Sequence, residues 1–397
     1  MFPAHSMAVI ITLATVVALG PLSTDMYLPA LPQLTGVFST TIDQVQVTLS
    51  VFLYGFAVAQ LVYGPLADRF GRKPILLIGL LLFLVSSIGC ALASTVEELI
   101  LFRFLQALGA CSGPVLGRTM VRDIHGPVNA AKVLSIMGSI MALAPILAPV
   151  LGGYITVLFD WSATFYFLTI YALLAVLLIQ FKVSESLEPA HKASLNPAAI
   201  IKNFATLLKD RNYLGYTFCC SAVFAGLFAF MSGSSFVLID YFSVETEHAG
   251  IFYALASGGY LLGTQIGHRV GPRIGIDRML FIGGILATSS GLAMAIPALM
   301  DIHHLWLTTI TQIAYMSAVG IVMPQAMAGA LTNFPHIAGT ASSLLGFIQS
   351  LLAASAGLLV GHYHSGTPTT MALTIAVMGL LSLFFFKALV TRQSQTD

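Results

Sequence analysis

The sequence predicts an all-α integral membrane protein of twelve transmembrane helices, arranged as two six-helix bundles. Three observations carry that prediction. Only 8% of the 397 residues are charged and 57% are hydrophobic, and so few charges cannot cover the surface of a soluble domain this long. Apolar runs recur along the chain, each long enough to cross a hydrocarbon core about 30 Å thick. One long polar stretch, 184–212, divides those runs six and six.

Apolar runs bounded by charge, proline or glycine place the first six spans at 7–33, 42–66, 75–94, 97–120, 130–156 and 162–183. The first run lacks a basic leader and a clear cleavage site, so it reads as a retained span. Residues 1–183 form the N-terminal bundle and 184–212 the linker. In the linker, Asn196 and Pro197 have the character of a helix start. Ile200, Ile201, Phe204, Leu207 and Leu208 then share one face, flanked by Lys202, Lys209 and Arg211. That pattern predicts a helix lying on a membrane surface. Residues 213–397 hold the C-terminal bundle, with spans at 213–238, 247–268, 278–299, 304–328, 337–362 and 368–390.

The positive-inside rule sets the orientation. With the N-terminus cytoplasmic, all but one of the 17 basic residues fall in or beside cytoplasmic loops. The outer loops carry acids instead: Glu97, Glu98, Asp160, Asp240, Glu245, Glu247 and Asp301. Trp161 and Trp306 fall at outer boundaries, as an aromatic belt would place them. Both termini are therefore expected in the cytoplasm. The basic exception is Arg103, inside span four.

A net charge of +1 and the absence of a basic patch predict no nucleic-acid partner. Cys90, Cys111, Cys219 and Cys220 lie in apolar runs without paired spacing and read as small hydrophobes. The close pairs His303–His304 and His362/His364 lack an acid or cysteine to complete a metal site, so no metal is expected. There is no G-x-x-x-x-G-K-[ST] loop for a nucleotide and no clustered His, Asp or Glu for a membrane enzyme, so no catalytic residue is assigned.

Four short patterns carry mechanism. GPLADRFGRKP (64–74) is a tight, cationic loop between spans two and three, in which Asp68 can pair with Arg72 or with Arg122. In span four, Arg103, Gln106, Ala110, Gly113 and Gly117 step by three or four residues and share one face. APILAPVLGG (144–153) follows in span five, where Gly138, Ala142, Pro145, Pro149 and Gly152 share another, its small residues allowing close helix approach. TDMYLPALP (24–32) sets Asp25 beside prolines, about 20 Å along the helix from Thr12.

The loop resembles the signature of the major facilitator superfamily. Its latch residues are then Gly64, Asp68, Arg69, Gly71, Arg72 and Lys73, with Arg122 and Asp123 from VRD. LFRFLQALG (101–109) resembles the arginine–glutamine motif of the superfamily's twelve-span drug:proton antiporters. APILAPVLGG is similar to their span-five motif, with Pro145, Pro149, Gly152 and Gly153 in place and Ala144 and Ala148 where glycines are usual. TDMYLPALP and VRD are most similar to the Bcr/CflA-type branch of multidrug and chloramphenicol/bicyclomycin-type exporters. GHRVGPRIGIDR (267–278) echoes the first loop at the matching place in the second half, as an internal repeat would.

The resemblance implies proton-coupled export of lipophilic drugs or antibiotics across a bacterial inner membrane by alternating access. It implies no cofactor beyond the proton gradient, and a monomer whose partners are protons, lipid and a small lipophilic substrate. A transporter of the same fold for a physiological metabolite is the alternative. The resembling folds place spans one and four side by side, so Asp25 and Arg103 are expected to form a pair that couples proton movement. Tyr27, Gln60, Gln106 and Gln349 are the expected cavity residues. Charges at this depth cost roughly 2.5–3.5 kcal/mol by insertion scales, which makes a pair in which each offsets the other's desolvation the natural expectation.

Overall fold

A computed structural model of the chain describes residues 6–141, 143–187 and 197–390. Of the sequence-based assignments, Lys192, the Asn196 cap and Ala142 lie outside those residues, as do the side chains of 126–132, 135–136, 138–141 and 197–200. The described residues are mostly helical, with no strand among them. Ten helical stretches are long and apolar enough to cross a membrane, and Ala144–Leu158 is a shorter apolar helix.

The chain divides into two compact units, residues 1–195 with 245–253, and 196–244 with 254–397. In the first unit, α1 (Met7–Asp25) begins at Ser6, whose hydroxyl accepts from the Val9 N–H. It stops at Asp25 because Pro29 and Pro32 follow and cannot donate to a helical ladder. A short 3₁₀ turn (Leu28–Ala30) leads into α2 (Leu31–Val37). Next come α3 (Ile42–Phe70), α4 (Arg72–Leu92), α5 (Val96–Met141), α6 (Ala144–Leu158) and α7 (Ser162–Lys182). Gly71 separates α3 from α4 at φ +110°, a conformation a side chain would strain.

One expectation is corrected here. Spans four and five do not meet at a loop after residue 120: α5 runs unbroken through 121–129 and ends at Met141. The next helix, α6, begins at Ala144 with Pro145 in its first turn. A proline is tolerated at that position because the N–H it lacks would have no partner in the first turn anyway. Pro145 thus starts a helix instead of bending one, and only Pro149 lies inside α6.

The second unit contains α8 (Pro197–Lys209), α9 (Arg211–Ser235) with a π turn at Phe236–Tyr241, α10 (Thr246–Ile274) from Ala254 onward, α11 (Ile276–Leu299), α12 (Leu305–Thr332), α13 (Ala338–His362) and α14 (Thr369–Leu389). The amphipathic helix of the linker is α8, and it packs on α9 and α13.

The two units repeat one packing plan. α5 packs against α1, α3 and α4 in the first; α12 packs against α9 and α11 in the second. Gly259 and Gly263 of α10 lie against the Ile313 and Ser317 carbonyls of α12, completing the correspondence. Glycines permit these approaches because a Cβ there would collide with the neighbouring backbone.

Candidate functional site

The first unit is organised around Arg103. Its side chain is fully buried (0% exposed), and three helices supply its acceptors. Nη1 donates to the Ser23 carbonyl of α1 at 3.0 Å and to Gln106 Oε1 at 2.7 Å, and Nε donates to the Thr48 carbonyl of α3 at 3.4 Å. The guanidinium carbon lies 4.4 Å from the ring centre of Phe52, 4.9 Å from Tyr27 and 5.8 Å from Phe165. Aromatic faces stabilise a cation where water cannot. Nη2 has no hydrogen-bond partner among the described residues.

The network continues across the bundle. Gln106 Nε2 donates to Ser87 Oγ of α4 at 2.8 Å, and Ser87 donates to the Phe83 carbonyl at 2.7 Å. The Tyr27 hydroxyl and Thr48 Oγ1 are 3.0 Å apart. Tyr27 and Gln106, two of the expected cavity residues, are fully buried and take part in this network. Gln60 is half-buried on α3, its Oε1 without a partner among the described residues, and Gln349 is half-buried on α13 of the second unit.

Asp25 is 5% exposed, and its Oδ1 accepts from Thr24 Oγ1 at 2.7 Å. It forms no ion pair with Arg103, which corrects the expected pairing. Arg103 takes the carbonyl of Ser23, and a residue two positions further along a helix is turned by about 200°. Asp25 therefore lies on the opposite side of α1 from the contact that holds the arginine.

The small face of α5 continues the contact with α1. Gly113 lies against the Val16 carbonyl, and a Cβ on Gly117 would fall 2.8 Å from Val17 Cγ2. From the other side α6 approaches α1, with Gly152 directly against the Met26 carbonyl. The span-five motif thus touches the residue after Asp25. Pro149 is buried in the same helix, and a Cβ on Gly153 would fall 2.9 Å from the Thr246 carbonyl oxygen of the same unit.

The signature loop forms a second cluster. The Arg72 guanidinium pairs with Asp68 and, through Nε, with Asp123 Oδ2 at 3.1 Å. Of the two partners open to Asp68, the structure has Arg72; Arg122 is exposed. Arg69 is exposed, with its guanidinium 5.5 Å from the Phe70 ring centre, and Lys73 Nζ donates to the Gln180 carbonyl of α7 at 2.8 Å. A Cβ on Gly64 would meet nothing within 4 Å.

Glu185, beyond α7, completes the cluster and was not anticipated. Its carboxylate accepts from the Arg72 N–H at 3.0 Å and the Lys73 N–H at 3.2 Å. It caps the start of α4, where unpaired N–H groups and the helix dipole favour a carboxylate. Ser186 Oγ adds a 3.3 Å bond to Asp123 Oδ2. The only sequence signal was a glutamate just past the end of a span.

The family model described as "Major Facilitator Superfamily" matches residues 13–358. The chain belongs to the major facilitator superfamily. A bicyclomycin resistance protein homolog of Haemophilus influenzae is 32% identical over 96% of each chain. A chloramphenicol resistance protein of Pseudomonas aeruginosa is 30% identical over 87% of this chain and 83% of its own length. These relatives agree with the Bcr/CflA-type resemblance of TDMYLPALP and VRD. Among solved structures, the xylose transporter XylE of E. coli, in a partially occluded inward-open conformation, superimposes with a TM-score of 0.75. It covers 98% of this chain and 99% of its own at 14% identity, a likeness of fold. With that fold, this superfamily member is an all-helical, multi-pass membrane protein.

Proposed function

We propose that this protein is a proton-driven exporter of lipophilic drugs or antibiotics, working by alternating access in a bacterial inner membrane with both termini in the cytoplasm. The observation that carries the reading is Asp25. It is an acid buried inside a span, accepting from Thr24 Oγ1, at the point where α1 meets the Gly152 face of α6. An intramembrane carboxylate is costly and marks an ion or proton path. In this reading Asp25 takes up and releases the transported proton. Arg103 is a positioning residue: by holding the Ser23 carbonyl it sets the end of α1, and hence Asp25, without pairing with it. The names of the two resistance relatives support drugs or antibiotics as the cargo, and no catalytic step is assigned.

Vesicles containing the purified chain test this directly. Addition of chloramphenicol or bicyclomycin to vesicles with an imposed proton gradient should release protons in the native protein and not in Asp25→Asn. Full substrate-driven proton movement by Asp25→Asn would remove Asp25 from the path. No movement with any compound of a drug panel, set beside a response to a metabolite extract, would transfer the reading to a metabolite transporter of the same fold.

A further inference from the structure

The second unit carries a groove of about 340 Å³ at the C-terminal end of α14, lined by Leu380, Leu383, Phe384, Lys387 and Ala388. Phe384 is 60% exposed and Leu380 45%, so in a membrane this wall meets acyl chains. α11 borders it: Lys387 Nζ sits 5.1 Å from the Phe281 ring centre, and a Cβ on Gly284 would lie 3.0 Å from Leu383 Cδ1.

Positive charge gathers at one end of this apolar surface. Besides Lys387, Arg211 Nη2 donates to the carbonyl of Ala388 at 3.4 Å. Arg278 is exposed one turn before Phe281 on α11. The acid beside it, Asp277, accepts from the Tyr216 hydroxyl of α9 at 2.8 Å and so is already engaged. α14 spans Thr369–Leu389, about 30 Å at 1.5 Å per residue, which puts Lys387 at headgroup depth.

We propose that this groove is a binding site for an anionic phospholipid, with one acyl chain along Leu380, Leu383 and Phe384 and the phosphate on Lys387 and Arg211. The apolar wall selects a lipid over a free phosphate, and the paired cations select an anionic headgroup over a zwitterionic one. Basic pockets between membrane helices hold acidic headgroups by the same two terms. The site is separate from the Asp25 region and makes no use of the transport reading.

Native mass spectrometry of the full chain in detergent provides the test, with dioleoylphosphatidylglycerol, dioleoylphosphatidylcholine or glycerol 3-phosphate as probes. The native protein should retain phosphatidylglycerol over phosphatidylcholine and retain no glycerol phosphate. Lys387→Gln and Arg211→Gln should each weaken phosphatidylglycerol retention roughly fivefold, while Lys387→Arg preserves it. Leu380→Trp, which fills the groove and leaves the cations, should lower retention as well. Monodispersity and a native melting temperature identify variants that remain folded. Equal retention of the two lipids, retention of glycerol phosphate matching that of the lipid, or folded glutamine variants that bind as the native protein does would each overturn the site.

Discussion

Replacing Arg103 with lysine separates a merely positive residue from one that must bridge helices. The arginine fork satisfies Ser23 O, Gln106 Oε1 and Thr48 O at once, at 3.0, 2.7 and 3.4 Å. A lysine ammonium is a point charge on a shorter stem and cannot reach all three. If one bond survives, two charge-assisted bonds are lost at about 1.5 kcal/mol each, the lower end of their range because the Thr48 contact is long. The expected loss is about 3 kcal/mol. For a unit of roughly 200 residues this corresponds to a fall of about 6–12 °C in melting temperature. Thermal unfolding of the purified protein in detergent, followed by intrinsic fluorescence and by loss of monodispersity, measures it. The Ser87→Ala variant, which removes only the far end of the network, should fall by less. An Arg103→Lys protein with the native melting temperature would refute the bridging role.

Three further outcomes are expected. Removing the cap with Glu185→Ala should cost about 1 kcal/mol and lower the melting temperature by a few degrees, with Asp123→Ala adding less than its separate effect because both act through Arg72. Gly152→Val, whose side chain would enter the Met26 carbonyl, should cut the yield of monodisperse protein, whereas Gly64→Ala in the interior of α3 should match or exceed native stability; equal behaviour of the two would undo the packing account. At the start of α7, Ser162 Oγ and the Ala163 N–H donate to Asp160 at 2.6 and 3.0 Å, holding its carboxyl below the usual range. A depressed pKa stabilises above the unfolded value of about 4 and is lost as pH falls through the folded one. The melting-temperature gap between native protein and Asp160→Ala should therefore be present at neutral pH and close under acid; a gap that widened with acid would reverse the assignment.

Much of the architecture is written in local pattern. Hydropathy places the spans, proline and glycine place the ends of α1 and α3, and the small-residue steps at Gly113 and Gly117 foretell the contact with α1. What local pattern cannot carry is partnership. Asp25 and Arg103 were the natural pair by elimination, yet the arginine chose a backbone carbonyl, and every helix offers carbonyls without advertising them in side chains. Tyr27 and Gln106 look alike in a sequence whether they face a cavity or one another's network. Glu185 lies 113 residues from the amide it caps, a separation with no periodicity to betray it. The continuous α5 was missed because nothing in 121–129 announces whether Gly126 and Pro127 end a helix or are absorbed by it.

The order in which the acceptors of Arg103 appear along the chain has a consequence for biosynthesis. Ser23 and Thr48 both precede it, and chains are made from the N-terminus. When the arginine reaches the bilayer, the carbonyls that receive it are already in place, and the charge need not wait in lipid for a helix still on the ribosome. A permuted gene that began at α3 and carried α1 at its end would keep most of the contacts of the finished fold. It would nevertheless bring the guanidinium into the bilayer with the Thr48 carbonyl and Gln106 but without the Ser23 carbonyl, so the cost is expected in the yield of nascent protein.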